Sequence, residues 1–180
     1  MKFIKSEIEG LIIIEPNIIE DERGYFYESY NKEDFINNGI ENCFVQDNQS
    51  LSQKNVLRGL HFQKPPYTQA KLIKVIKGSV LDVAVDLRKN SETYGKYVSI
   101  ELSESNKRMF YISEGFAHGF LTLEDNTIFS YKCSNFYNKD SEGALLWNDL
   151  DVDIKWGIQN PTLSVKDKEA PKFNQLISPF

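Results

Sequence analysis

Histidine and cysteine are both scarce in this sequence, with two of each in 180 residues. His61 and His118 are therefore the only side chains whose ordinary pKa lets them move a proton near neutral pH, which leaves acid/base chemistry few candidates. Cys43 and Cys133 stand far apart with no CxxC spacing, which argues against a disulfide framework or a zinc knuckle; both are expected to be reduced and structural. No window has the long uncharged apolar run of a membrane span or signal peptide, so a soluble, cytoplasmic protein without a membrane partner is expected. Repeats, low-complexity tracts and Pro/Ser linkers are also missing. A chain of this length can bury one substantial core but hardly two, so a single domain over 1–180 is expected. The net charge of −5 disfavours nucleic acid as a partner. An anionic ligand would need locally clustered cations, which Arg23, Arg58 and Lys71 could supply.

What the chain does have is aromatic residues, with twelve Phe and nine Tyr, and many short strand signals. Gly10-Leu11-Ile12-Ile13-Ile14-Glu15-Pro16 is a β-branched run stopped by proline. Asn31 to Gly39 reads as a short helix with an Asn cap, acidic residues in its first turn and a glycine stop. Lys71 to Leu87 reads as a hairpin turning at Lys77-Gly78-Ser79. Its second strand alternates Leu81, Val83, Val85 and Leu87 against Val80, Asp82, Ala84 and Asp86, so Asp82 and Asp86 are expected on a half-exposed polar face. Further runs cover 97–102, 108–112, 119–123 and 127–133. So many short strands imply an all-β sandwich or barrel. The stretch 158–180 reads as irregular chain packed on the core.

If the segment around His61 is a strand, Gly59, His61 and Gln63 share one face. The same rule groups Lys71 with Ile73 and Val75, and Tyr131 with Thr127, Phe129 and Cys133. A His, a Lys and a Tyr could thus converge inside one barrel. Strand alternation also sets a tension, because Arg58 and His61 are three apart and face opposite ways in a regular strand. A bend near Gly59, a place at the strand's mouth, or a reach into a partner subunit would resolve it.

Gly115-Phe116-Ala117-His118 is similar to the second half of the general cupin motif, whose barrels often hold a metal on two or three histidines and a carboxylate. Here His61 stands alone where a close histidine pair would be needed, so no metal ligands are assigned. A more extensive likeness is carried by Asp21-Glu22-Arg23-Gly24, Phe44-Val45-Gln46-Asp47-Asn48-Gln49-Ser50, Val56-Leu57-Arg58-Gly59-Leu60-His61-Phe62-Gln63, Asp82-Val83-Ala84-Val85-Asp86-Leu87-Arg88, Glu114-Gly115-Phe116-Ala117-His118-Gly119-Phe120 and Tyr131-Lys132-Cys133. In order and spacing, from about Ile4 to Asp167, these closely resemble the dTDP-4-dehydrorhamnose 3,5-epimerase family.

The resemblance implies a cupin-type jelly-roll β-barrel with short flanking helices. It further implies a homodimer that inverts carbons 3 and 5 of dTDP-4-dehydro-6-deoxy-glucose without metal or organic cofactor. Carried over position by position, it makes His61 the base, Tyr131 the acid, Lys71 the stabiliser of the enolate oxygen and Asp167 the partner of the base. It makes Arg23, Glu28, Gln46, Asp47, Asn48, Arg58, His118, Tyr137 and Glu142 the residues that bind the dTDP-linked 4-keto-6-deoxy sugar. Ser113 departs from the family, which usually has proline there. Two rival functions share these motifs: an epimerase acting on one carbon of another nucleotide-linked 4-keto sugar, and a non-catalytic sugar-nucleotide-binding cupin.

Overall fold

A computed structural model describes residues 1–180. Thirteen strands account for most of its regular structure. They are β1 (Lys2–Lys5), β2 (Leu11–Glu15), β3 (Ile19–Asp21), β4 (Gly24–Phe26), β5 (Gln46–Ser52), β6 (Leu57–Gln63), β7 (Lys71–Lys77), β8 (Ser79–Asp86), β9 (Tyr97–Ser103), β10 (Met109–Ile112), β11 (Phe116–Thr122), β12 (Thr127–Cys133) and β13 (Glu142–Ala144). One antiparallel sheet runs β1-β2-β10-β7-β12-β5, the other β13-β6-β11-β8-β9, and β3-β4 form a separate ribbon. Leu11, Ile73, Phe110 and Phe129 from the first sheet meet Ala84, Leu102 and Phe120 from the second in one buried cluster. This is the expected cupin-type jelly roll, with α1 (Lys32–Asn37) and α2 (Val165–Lys168) as short flanking helices. No helix is long and apolar enough to cross a membrane.

Both outer faces are covered. Phe35 of α1 and Ile40 pack on Ile12, Ile14, Leu72 and Met109. The Asn31 side chain accepts from the backbone N–H groups of Glu33 and Asp34, a cap worth about 1 kcal/mol. On the second sheet, Leu57, Leu60, Val83, Val85 and Leu121 lie under Leu145, Trp147, Ile154 and Trp156, with Phe173 and Phe180 beside them. Residues 145–156 thus form a third layer, and the stretch 158–180, read as irregular chain packed on the core, adds Phe173 and Phe180 to it. Ser113 donates its backbone N–H to the Gly10 carbonyl at 2.9 Å, a bond proline could not make.

Two local expectations are corrected. β7 and β8 are not a hairpin: β7 pairs with β10 and β12, and β8 with β11 and β9. A single residue, Gly78, separates them, too short a link for the chain to fold back on itself. It turns a corner into the facing sheet instead, at φ +77° and so close that a Cβ would lie 2.4 Å from Thr127 Oγ1. Nor are Asp82 and Asp86 on a half-exposed face, because both are fully buried. Their burial is offset by charge-assisted hydrogen bonds. Asp86 accepts from Arg88 Nε, Ser91 Oγ and Thr93 Oγ1 at 2.9, 2.8 and 2.6 Å, and Asp82 accepts from His118.

Candidate active site

A cavity of about 550 Å³ opens between the two sheets, and the strand alternation that fills the barrel with Ile73, Val75 and Phe129 also turns Lys71 and Tyr131 into it. β6 and β11 form the facing wall. Their register is His118 opposite His61 and Phe120 opposite Arg58, so two steps on β11 match three on β6. That extra residue is a β-bulge. It answers the alternation problem, since Arg58 and His61 can now both line the cavity. Glycine makes the bulge possible: Gly59 has φ +133°, and a Cβ there would fall 2.5 Å from the Gly119 Cα.

Asp167 reaches His61 from α2, where the Ser164 side chain caps the Asp167 backbone N–H at 3.1 Å. His61 Nε2 lies 2.5 Å from Asp167 Oδ1, and the aspartate is buried while the imidazole side chain is 38% exposed toward the opening. Burial works against ionisation of Asp167, but the His61 bond and charge, helped by Ser164 and Gly59, prevail and hold its carboxyl below the usual range. With Nε2 donating to the carboxylate, Nδ1 is the nitrogen left to accept a proton. His118 is deeper. Its Nε2 lies 3.0 Å from each Asp82 oxygen, and burial lowers its pKa against the pull of Asp82. No three His, Cys, Asp or Glu side chains gather at metal-ligating distance.

Burial also lowers the Lys71 pKa, partly countered by Cys133 and Asp82. Tyr131 is pushed up to about 12, chiefly by burial, so its phenol keeps its proton. Lys71 Nζ stands 5.9 Å from the Tyr131 ring centroid. Phe120 and Phe129 stack at 3.8 Å beside them and form an apolar shelf.

Gln46 and Asn48 of β5 line the cavity, whereas Asp47 between them faces outward and pairs with Lys132 at 2.9 Å. Three successive strand residues cannot share one face. Gln46 Oε1 accepts the Tyr137 backbone N–H at 3.0 Å, which helps hold Tyr137 at the lining. Glu142 is present too, paired with Lys166 at 2.5 Å. Arg23 and Glu28 lie outside this chain's cavity: Arg23 pairs with Asp21 on the β3–β4 ribbon, and Glu28 accepts from Asn31. Sequence reasoning did not select Lys166, Gln63, Gln69 or Ser164, all of which line the cavity. The signal for Lys166 was its place beside Asp167 in a capped turn.

The family model for dTDP-4-dehydrorhamnose 3,5-epimerase matches residues 5–175. A dTDP-4-dehydrorhamnose 3,5-epimerase from Shigella flexneri is 51% identical over 176 residues, covering 96% of each chain. The crystal structure of one from Elizabethkingia anophelis NUHP1 superposes with a TM-score of 0.93 at 53% identity, covering 97% of each chain. A dTDP-6-deoxy-D-glucose-3,5-epimerase from Legionella pneumophila, solved in complex with dTDP-4-keto-L-rhamnose, gives 0.92 at 47% identity over 98% of this chain and 94% of its own. With matches of this identity along nearly its whole length, the chain belongs to the dTDP-4-dehydrorhamnose 3,5-epimerase family.

Proposed function

We propose that this protein inverts carbons 3 and 5 of dTDP-4-dehydro-6-deoxy-glucose, with side chains alone carrying the proton transfers. The observation that carries the reading is the meeting of a carboxylate-backed imidazole, a buried lysine and a protonated tyrosine around one cavity. Hydrogens on carbons 3 and 5 are acidic because both carbons flank the carbon-4 ketone. Removing one leaves an enolate, so the reaction needs a base, a partner for the oxygen charge and a proton donor on the opposite ring face. In this reading His61 Nδ1 takes the proton, and Asp167 steadies the imidazolium that forms. Lys71 stabilises the enolate oxygen, an interaction worth about 3 kcal/mol where a single oxyanion donor has been removed elsewhere. Tyr131 then returns a proton from the other face, and solvent resets both groups. Positioned acids and bases supply roughly 10² to 10⁴ in rate each.

Arg58, Gln46, Asn48, His118, Tyr137 and Glu142 serve substrate binding in this reading, with guanidinium suited to the diphosphate. Arg23 and Glu28 can take part only from a second copy. A homodimer is supported by the ribbon that carries Arg23, which leaves Ile19, Tyr25 and Phe26 exposed, an apolar patch that suits an interface. Two tests apply. Incubation with dTDP-4-dehydro-6-deoxy-glucose should give a product inverted at both carbons by NMR. Mixing Arg23→Ala with His61→Asn chains should restore activity through hybrid dimers that contain one intact site. Failure of turnover sinks the reaction, and failure of complementation sinks the shared site.

A further inference from the structure

A carboxylate on the inward face of a barrel strand, between Val80 and Ala84, has lost its water and gains nothing there as packing. Asp82 of β8 is such a group, with no exposed surface. Its single side-chain hydrogen-bond partner is His118 Nε2, held symmetrically at 3.0 Å from both oxygens. His118 lies nearly parallel to the Phe129 ring, 6.2 Å between centroids, and lines the cavity. It makes no hydrogen bond through Nδ1, yet no buried side-chain nitrogen or oxygen lacks a partner, so Nδ1 opens onto the cavity. A donor bound to a carboxylate must be the protonated nitrogen, which leaves Nδ1 a pure acceptor.

We propose that Asp82 is a positioning residue for the reaction: it fixes His118 with its proton on Nε2, so that Nδ1 accepts from a sugar hydroxyl. The inference rests on the epimerase reading. Burial favours neutral His118 and, helped by Lys71 and His61, outweighs the opposing pull of Asp82. Lys71 lines the same cavity from β7. The other titratable groups facing this cluster are Cys133 and Tyr131 on β12, and His61 on β6 with Asp167 behind it. Arg58 bears on Tyr131. Inward-facing Ile100 of β9, the Cα partner of Asp82, brings no charge.

The test is Asp82→Asn, which keeps the shape, removes the charge and offers an amide N–H to Nε2. We expect kcat to fall roughly 10- to 100-fold, the range known for loss of the carboxylate that orients a metal-bound imidazole, with KM little changed. Unchanged kcat, in a wild type that turns over, overturns the inference and leaves the reaction standing. A second measurement needs neither substrate nor the variant. Imidazole ¹⁵N NMR of the wild-type protein should show His118 neutral and protonated on Nε2 from pH 7.5 to 9. A proton on Nδ1, or titration in that window, overturns the proposal whatever the fate of the reaction.

Discussion

His118 is the Cα partner of His61 across β6 and β11. The chain's only two imidazoles therefore share one wall of the cavity, each with Nε2 on an aspartate. Their depths differ: the His61 side chain is 38% exposed and that of His118 only 7%. The accessible one suits proton abstraction and the buried one suits a fixed hydrogen bond. His61→Asn should lower kcat by about 10² to 10⁴ while circular dichroism and dTDP binding stay as in the wild type.

Tyr131→Phe separates the two halves of the reaction. With His61 and Lys71 intact, deuterium should still enter the substrate from solvent, while inversion falls about 10² to 10⁴. If exchange and inversion both persist, the donor is another group, with Tyr137 the next candidate on the lining. If both vanish, Tyr131 is needed before proton abstraction.

The pH profile should report Lys71 rather than Tyr131. Tyr131, at about 12, keeps its proton well beyond the ordinary tyrosine range. Lys71 is lowered by burial, so its ammonium and the activity that depends on it are lost below the ordinary lysine value of about 10.4. The alkaline limb should disappear in Lys71→Arg, whose guanidinium does not deprotonate, on top of a lower rate from the changed fork geometry. A limb that survives this change belongs to another group.

Gly59→Ala strikes the bulge. The added Cβ meets the Gly119 backbone at 2.5 Å and forces an unfavourable φ of +133° on alanine. The expected cost is about 2–4 kcal/mol by denaturant unfolding. Activity should fall with it, because Arg58 and His61 share the cavity only through that extra residue. A variant with wild-type stability and rate would contradict this account of the wall.

Arg88→Met tests the other buried carboxylate. Burial resists ionisation of Asp86, but Arg88, Thr93 and Ser91 prevail and its pKa is lowered. A depressed pKa stabilises the fold above the unfolded value and loses that contribution as pH falls through the folded one. Removing the guanidinium should cost about 3 kcal/mol at pH 7. The difference from wild type should shrink below about pH 4. A gap that does not change with pH would mean that Arg88 acts through packing on Phe116 alone.

The sequence made the fold legible wherever alternation was apolar, as in β7, β8, β11 and β12. It hid β5, whose Gln46-Asp47-Asn48-Gln49-Ser50 offers no apolar face, although β5 forms part of the cavity wall. The convergence of His61, Lys71 and Tyr131 followed from period-two counting on three strands. The co-facing of Arg58 and His61 did not, because a bulge depends on the close approach of Gly59 to Gly119, a tertiary contact. Asp82 was misread for a similar reason. A carboxylate in an alternating strand looks solvent-facing until the partner that allows its burial is known, and His118 is 36 residues away in sequence.

Removal of protons by His61 from both carbons beside the ketone leaves a trace in heavy water. The most direct measurement is incubation with dTDP-4-dehydro-6-deoxy-glucose in deuterium oxide, following label by NMR and mass spectrometry. Deuterium is expected at carbons 3 and 5 with the wild type and at neither with His61→Asn. Label at one carbon only would indicate a single-site epimerase, and bound but unlabelled substrate would contradict the reaction altogether.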